Sequence, residues 1–259
     1  MSSASSWITW EQIQAASAVD STVINISRDG DLQAAMEEIR AAMLRYPMPM
    51  GATCFMGGDI ARKRDLTIYW PLYVFPELGI SMTPFVVSMR GRKFKEQRSI
   101  AEFLMDGLGV RRLCQDSTGI GAQLAEEMQD KYGANRVEPV NFTSQVKEDL
   151  ATRTRRRFED GAIKIPDDRN VHAGIHAVKK FPTAAGHFRY DSARTDAGHA
   201  DEFWSLSLSF MAAEGAPACA YSSSDTELIP ASRANVARAM MGERERIDMG
   251  IRERERRAW

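Results

Sequence analysis

Three apolar, strand-like runs follow one another between residues 53 and 89, and they limit the possible folds of this chain more than any other feature. The runs are 53–59, 66–75 and 84–89. Connections this short join antiparallel neighbours, because a parallel pair needs a crossover of a dozen residues or more. The region therefore predicts an antiparallel, three-stranded unit.

Helical and strand-like segments alternate after this unit. Apolar residues recur at three- and four-residue steps in three predicted helices, at 99–108, 122–132 and 144–158. One strand-like run, 110–115, lies between the first and second helices, and another, 136–141, lies between the second and third. Right-handed β-α-β crossovers then give an α/β fold with a mixed five-stranded sheet flanked by helices.

The C-terminal third predicts smaller elements. Pro166 suggests that the run 163–166 is an edge strand. Two strand-like runs within 171–195 predict an extra β-hairpin, and a helix begins near residue 198. Arg and Glu alternate at the end of the chain, as in a solvated helix or tail.

We divide the chain into three parts on these patterns. Residues 1–50 form an N-terminal helical appendage or linker remnant, 51–215 form the sheet domain, and 216–259 form a charged C-terminal tail. With 259 residues and 44% hydrophobic content, the chain can bury one sizeable core.

Charge and cysteine content exclude several classes of protein. The net charge of −1 does not mark a nucleic-acid-binding protein as a whole, so DNA contacts must rest on local basic clusters. Three widely spaced cysteines favour buried, reduced thiols over a disulfide framework or a zinc site. No apolar run approaches the ~20 residues needed to span a bilayer, and no signal peptide is visible. We therefore expect a soluble, intracellular protein without membrane contact.

Two aspartates stand at the ends of predicted strands that can be parallel neighbours. These are Asp59 and Asp116. Adjacent carboxylates repel each other unless a cation separates them, and carboxylates suit Mg²⁺ or Mn²⁺. Asp201 lies in the first turn of a helix whose other face is apolar, so it can reach the same place. Alternatively, Asp59 belongs to an ordinary turn and Asp201 only complements the helix dipole.

Three motifs occur in order on these elements, at 57–65, 115–121 and 198–204. Together they resemble the C-terminal nuclease domain of tailed-phage (Mu-like) terminase large subunits, over roughly residues 52–213. The resemblance implies an RNase H-like (retroviral integrase-like) fold. It further implies an endonuclease that cuts double-stranded viral concatemer DNA during genome packaging, by phosphodiester hydrolysis with two Mg²⁺ or Mn²⁺ ions.

The resemblance also assigns site residues. It makes Asp59, Asp116 and Asp201 the catalytic, metal-binding triad. Asp65 matches a further acidic position near the second metal, and His199 matches a histidine that precedes the last aspartate. From the residues alone, Asp65 can equally be a turn residue and His199 a helix cap. The adjacent glycines of the first motif suggest room for a backbone beside metals and phosphate.

Basic residues cluster around these positions despite the neutral total. A nuclease needs phosphate contacts of this kind, which bind DNA without regard to sequence. The alternative is solvated surface charge. The residues that we expect to bind DNA are Arg62, Lys63, Arg64, Lys95, Arg98, Lys179 and Lys180.

The chain departs from the large terminase pattern in one respect. It shows no Gly-x-x-x-x-Gly-Lys-Ser/Thr phosphate loop, so we expect an excised nuclease domain or a natural protein without the ATPase motor. The resemblance implies double-stranded DNA, the portal protein, the small terminase subunit and the ATPase motor domain as partners. It places a monomeric domain in the host bacterial cytoplasm, transiently at the procapsid portal.

Two other functions stay open on the sequence. One is another RNase H-like nuclease, such as a resolvase or transposase catalytic core. Those enzymes more often supply Glu at the second or last acidic position, where this chain has Asp. The other is a non-catalytic packaging scaffold, for which the carboxylates would be dispensable.

Overall fold

The computed structural model describes residues 6–18, 20–61, 65–119, 121–182, 188–192 and 200–215. The strands in these ranges are β1 (Ser17–Ala18), β2 (Thr22–Ile26), β3 (Thr53–Asp59), β4 (Leu66–Phe75), β5 (Ile80–Met82), β6 (Phe85–Arg90), β7 (Arg112–Asp116), β8 (Val137–Val140), β9 (Ile163–Pro166), β10 (Lys179–Pro182) and β11 (Phe188–Asp191). The helices are α1 (Trp10–Ala16), α2 (Leu32–Arg45), α3 (Phe94–Gly107), α4 (Gly121–Tyr132), α5 (Ser144–Glu159), α6 (Arg169–Ala177) and α7 (Asp201–Glu214).

A mixed sheet forms the centre of the fold, as the sequence predicts. Its main path runs β1-β9-β5-β4-β3-β7-β8, and β6 pairs with β4 and β2 beside this path. The five predicted strands are β3, β4, β6, β7 and β8. The predicted number was too low, because the sheet has nine strands in the described part of the chain. The four further strands have two to five residues. Strand β9 was predicted separately, as the run 163–166, whereas β1 and β5 are too short for a clear alternating pattern.

The central pairings put the first and fourth predicted strands side by side. Strand β3 pairs antiparallel with β4 and parallel with β7, in the register Gly58 to Gln115. The prediction that these strands are parallel neighbours is confirmed. Strand β9, by contrast, is not at the edge as Pro166 suggested, because the two-residue β1 pairs with its outer side.

Two hydrophobic cores cover the two faces of the sheet. Helices α2, α3 and α4 bury one face through residues such as Ile39, Leu104 and Leu124. Helices α1, α5, α6 and α7 bury the other. Neighbouring residues of one strand serve opposite cores, as Phe55 and Met56 do, which follows from the two-residue period of a strand.

Helix α7 is buried around almost its whole circumference. Eleven of its residues are buried, including three serines that the helical pattern leaves between apolar residues. The hydroxyl of Ser209 donates to the carbonyl oxygen of Trp70 at 2.7 Å, so this polar group is satisfied against β4. A helix buried on all sides is a core element rather than a surface cover.

The predicted hairpin at 171–195 is half right. Strands β10 and β11 pair antiparallel, but 169–177 form α6. The side chain of Asp168 caps this helix by accepting from the backbone N–H groups of Asn170 and Val171, at 2.8 and 3.0 Å. Val171 and Ile175, one turn apart, face the core, so the helical period was present but short.

The N-terminal segment shares the central sheet. Strand β2 pairs in parallel with β6, and α2 packs on α3. The boundaries at residues 50 and 215 stay a prediction, and the charged tail 216–259 lies outside the described residues. Within the described ranges, no helix combines the length and the apolar character needed to cross a membrane.

Candidate active site

Asp59 and Asp116 end two neighbouring parallel strands. Asp59 is the last residue of β3 and Asp116 the last of β7, and the pair Gly58–Gln115 precedes them in register. Their side chains are 9% and 7% exposed. The backbone N–H of Thr118 donates to Asp116 Oδ1 at 2.8 Å, which fixes one oxygen of that carboxylate. The sheet thus brings together two aspartates that lie 57 positions apart in the chain.

Asp201 lies near them as the first residue of α7, close enough for its charge to act on Asp59. It is 4% exposed, and its Oδ2 accepts from the backbone N–H of Leu66 at 2.8 Å. Leu66 begins β4, the antiparallel partner of β3. The preceding Ala200 has φ of 63°, a left-handed conformation that is costly for a residue with a Cβ, and as the N-cap residue it makes no side-chain hydrogen bond to the helix. The positive end of the α7 dipole therefore faces the carboxylates.

Gly57 explains how α7 comes so close to the sheet. A Cβ at this position would lie 1.9 Å from the carbonyl oxygen of Ser205 and 2.5 Å from the backbone nitrogen of Ser209. At Gly58, a Cβ would instead meet the Tyr69 ring at 2.9 Å. Gly57 thus leaves room for a backbone, that of α7, whereas the space at Gly58 is filled by a tyrosine ring. The expected proximity of these glycines to metals and phosphate stays a prediction.

The buried carboxylates resist ionisation together. Burial raises the pKa of Asp59 well above its usual range, and the charges of Asp201 and Asp116 raise it further. Burial also raises the pKa of Asp116, although hydrogen bonds from Thr118 oppose the rise. The pKa of Glu202, the residue after Asp201, rises to about 8, mainly through burial and then through the Asp201 charge. This concentration of like charge favours a bound cation.

The donor set suits a hard divalent cation in kind. Carboxylate oxygens are the ligands that Mg²⁺ and Mn²⁺ prefer, and Mg²⁺ commonly uses one or two carboxylates with water and substrate phosphate oxygens. Among the described residues, no group of three or more His, Cys, Asp or Glu side chains converges as a ready-made metal cage. The carboxylates therefore offer suitable ligand atoms, without a complete cage of protein ligands among the described residues.

One further acidic residue, Asp65, and one histidine, His199, were predicted at this site. Asp65 immediately precedes Leu66, whose N–H binds Asp201, so it is one residue from the aspartate cluster. His199 lies outside the described residues, as do Arg62, Lys63 and Arg64. Their predicted roles stay predictions.

The other predicted DNA-binding residues lie on two surfaces. Lys95 and Arg98 are on α3, beside the chain that leaves Asp59, because Gln97 Nε2 donates to the carbonyl oxygen of Ala61 at 2.8 Å. Lys95 is exposed, whereas Arg98 pairs with Glu102 and Glu127, at 2.8 and 2.9 Å.

The remaining two lysines lie on the hairpin. Lys179 and Lys180 are half-buried on β10, and the Lys180 ammonium lies 3.6 Å from the centroid of the Phe188 ring. Arg92, two residues after the end of β6, is only 3% exposed and donates to three backbone carbonyls, of Ser27, Arg28 and Gly30. Its environment is that of a structural residue rather than a phosphate contact.

Sequence reasoning missed two charged residues at the site. Glu202 is 6% exposed and lines a cavity of about 500 Å³ between β2, β6 and α6. It stands within the third motif, next to Asp201, so its position was a usable signal. Lys147 on α5 acts electrostatically on both Asp59 and Asp116, lowering the pKa of each. No pattern in the sequence marks it.

Comparison with known proteins agrees with this geometry. Residues 85–213 match the family model of the terminase RNaseH-like domain, a range that includes Asp116 and Asp201 but not Asp59. The large terminase subunit of Thermus phage G20c is 24% identical over 160 residues, which are 62% of this chain and 32% of that protein. The probable large terminase subunit gp28 of Escherichia phage Mu is 30% identical over 111 residues, 42% of this chain and 20% of that protein.

The solved structures give the same fold. The large terminase nuclease of phage G20c superposes with a TM-score of 0.52 at 20% identity, over 62% of this chain and 82% of that structure. The same nuclease with bound magnesium gives a TM-score of 0.52 at 22% identity. The chain spans about a third or less of the length of the curated relatives that it matches. Residues 85–213 therefore match the family model of the terminase RNaseH-like domain, within a mixed α/β fold of the kind found in phage large terminase nucleases.

Proposed function

We propose that this protein is a metal-dependent endonuclease that cleaves double-stranded viral DNA during genome packaging. The observation that supports this most is the meeting of Asp59, Asp116 and Asp201, from three separate elements, at one buried and mutually repelling cluster. The family match and the solved terminase nuclease with bound magnesium support the same function.

Asp59, Asp116 and Asp201 would hold the metal ions, with Asp65 as a further candidate for a second ion. Two divalent cations, Mg²⁺ or Mn²⁺, would supply an activated water nucleophile and stabilise the leaving oxygen of the phosphodiester. The chain's own contribution is rigidity. The Thr118 N–H holds Asp116 and the Leu66 N–H holds Asp201, each at 2.8 Å, so neither carboxylate has to be ordered when substrate arrives.

The protein surface around the cluster would bind the DNA backbone. Lys95 and Arg98 on α3, with Arg62, Lys63 and Arg64 between β3 and β4 in the sequence, are the contacts that we assign to one side of the cluster. Lys179 and Lys180 are assigned to the hairpin. These cations would hold DNA by its phosphates and give cutting with little sequence preference. His199, one position before Ala200, would then act on a proton at the cluster.

The role in genome packaging is proposed from the similarity to large terminase subunits. Concatemeric DNA would be the natural substrate, delivered by an ATPase motor at the portal with the small terminase subunit, in the cytoplasm of the bacterial host. Cutting by this chain alone would be slow, because no such delivery operates.

A plasmid-nicking assay tests the proposal. Wild-type protein is incubated with supercoiled plasmid and Mn²⁺ or Mg²⁺, and the same reaction is run with Asp59→Asn, Asp116→Asn and Asp201→Asn. We expect nicking by the wild type and a loss of at least about 100-fold in each variant, the scale on which removing one electrostatic catalytic group acts. Calorimetric titration of Mn²⁺ into metal-free protein should show weakened binding in the same variants.

Asp130→Asn is the matched control, since Asp130 is exposed on α4. It removes one carboxylate from the protein and should leave nicking and Mn²⁺ binding unchanged. No nicking by the wild type with either metal would refute the proposed function. Equal nicking by the wild type and all three aspartate variants would refute the site.

A further inference from the structure

Lys147 lies over the faces of two aromatic rings. Its ammonium nitrogen is 4.7 Å from the ring centroid of Trp204 and 5.4 Å from that of Phe142. A cation within about 6 Å of a ring centroid is attracted by the negative face of the ring. Two rings from different elements therefore restrict a side chain that would otherwise move freely at the start of α5.

Both aromatic residues are connected to elements that carry the aspartates. Trp204 follows Asp201 by three residues on α7, so the two lie on the same side of that helix. Phe142 is tied to the end of β7, since its backbone N–H donates to the Thr118 hydroxyl at 3.0 Å. The N–H of Thr118 in turn binds Asp116. Lys147 is thus held between the end of β7, which carries Asp116, and α7, which carries Asp201.

From this position the charge of Lys147 interacts with the aspartate cluster. It opposes the effect of burial on the pKa of both Asp59 and Asp116. Other contacts already fix α5 to α7. The Thr154 hydroxyl donates to Ser207 Oγ at 2.7 Å, and Arg153 pairs with Glu214 at 2.6 Å. Lys147 is therefore not needed to hold the two helices together.

We propose that Lys147 contacts the substrate, its ammonium binding a non-bridging oxygen of the phosphate presented to the aspartate cluster. This inference rests on the proposed function, because it takes DNA as the ligand. A phosphate that approaches the three buried carboxylates of Asp59, Asp116 and Asp201 meets strong repulsion. A lysine is a compact point charge that binds phosphate without demanding a fixed fork geometry. The rings of Trp204 and Phe142 keep this charge near the aspartate cluster.

The salt dependence of DNA binding tests the proposal directly. Affinity for a short duplex is measured at several salt concentrations, in EDTA and in Ca²⁺, for wild type, Lys147→Met, Lys147→Gln and Lys147→Arg. Loss of one phosphate contact lowers the slope of log affinity against log salt by about 0.9. We expect this decrease with Met and Gln and a retained slope with Arg. A purely structural lysine would leave the slope unchanged.

Lys131→Met is the matched control. The Lys131 ammonium also lies over a ring, 5.3 Å from the centroid of Tyr132, and it pairs with Glu102 at 2.8 Å on the opposite face of the sheet. It should keep the wild-type slope. Where the wild type nicks plasmid, Lys147→Met should reduce kcat/KM by about 10- to 100-fold, the range of one hydrogen bond to a charged group.

The outcomes separate the two proposals. A wild-type slope in both neutral Lys147 variants, in EDTA and in Ca²⁺, overturns the phosphate contact. A reduced slope in a protein that never cleaves DNA supports the contact and refutes the nuclease function. A wild type that does not bind the duplex refutes both. Melting temperatures of all variants are recorded beside the slopes, and because two different neutral side chains are used, misfolding of one leaves the other decisive.

Discussion

Substitution of Gly57 by alanine tests the contact that brings α7 to the sheet. The new Cβ would lie 1.9 Å from the Ser205 carbonyl oxygen and 2.5 Å from the Ser209 nitrogen, and real Cβ contacts essentially never fall below 3.0 Å. Both neighbours are backbone atoms, so no change of rotamer relieves the clash. Helix α7 must therefore move away from β3 by about 1 Å, as happens when a packed core is overfilled.

The size of the effect follows from what α7 buries. Phe203, Leu206, Leu208 and Phe210 are each no more than 1% exposed. A gap of about 0.5–1 Å forfeits a quarter to a half of the attraction across such contacts. Overpacking costs about 1–3 kcal/mol, and an unyielding backbone contact belongs at the upper end. At about 2–4 °C per kcal/mol for a chain of this size, we expect the melting temperature to fall by about 6–12 °C.

Nuclease activity should fall independently of unfolding. Asp201 moves with α7, and a misplacement of about 1 Å at a reacting group can cost on the order of 100-fold in rate. The assay is thermal denaturation of wild type and Gly57→Ala, followed by plasmid nicking at a temperature where both are folded. Thus one substitution gives a stability result and a rate result.

Gly58→Ala is the matched control on the same strand. Its Cβ would approach the Tyr69 ring at 2.9 Å and the Gln115 side chain at 3.3 Å. Side chains can shift where a helix backbone cannot, so its melting temperature should fall clearly less. A Gly57→Ala protein within about 2 °C of wild type, or no less stable than Gly58→Ala, would refute the packing argument.

Three other outcomes are expected. Arg92→Met should lose about 1.5–3 kcal/mol of unfolding free energy, because it removes a buried guanidinium that donates to the carbonyl oxygens of Ser27, Arg28 and Gly30. A lower salt slope for DNA binding with unchanged stability would contradict this. Burial, and then a nearby lysine, lower the pKa of His176 below its unfolded value. The stability that this histidine contributes is therefore full above about pH 6.5 and decreases below it. In denaturation experiments between pH 7 and 5, His176→Phe should show a weaker decrease in stability than the wild type. Burial raises the pKa of Cys54 to about 12 and also raises that of Cys114, so in Cys219→Ser a thiol reagent at pH 8 should modify both only after urea is added.

Much of the fold could be read from local patterns. The runs that became β3, β4, β6 and β7 are apolar and long enough to be recognised, and helices with a buried stripe follow a 3.6-residue period. Short elements were harder. Strands β1 and β5 have two and three residues, and α6 has nine, so pairing and capping rather than period define them.

The aspartate cluster could be predicted because local sequence patterns also show which residues stand at the ends of strands. An acidic residue that directly follows an apolar strand stays at the end of that strand, and parallel neighbours share one edge. Asp59 and Asp116 needed only that rule and the chain order. Glu202 was overlooked because a second acid in a first helical turn is ordinary on a surface helix, and the burial of α7 on all sides does not show in a helical pattern.

The sequence by itself determined which side chains stand at the ends of its strands and at the start of α7, because strand and helix periods fix those positions within a few residues. Only the tertiary structure decided what surrounds them. It placed the α7 backbone against Gly57, turned Arg92 into a buried support, and set Lys147 over two rings beside the cluster. The reason is physical. Burial and charge coupling depend on contacts between residues far apart in the chain, and no local pattern records them.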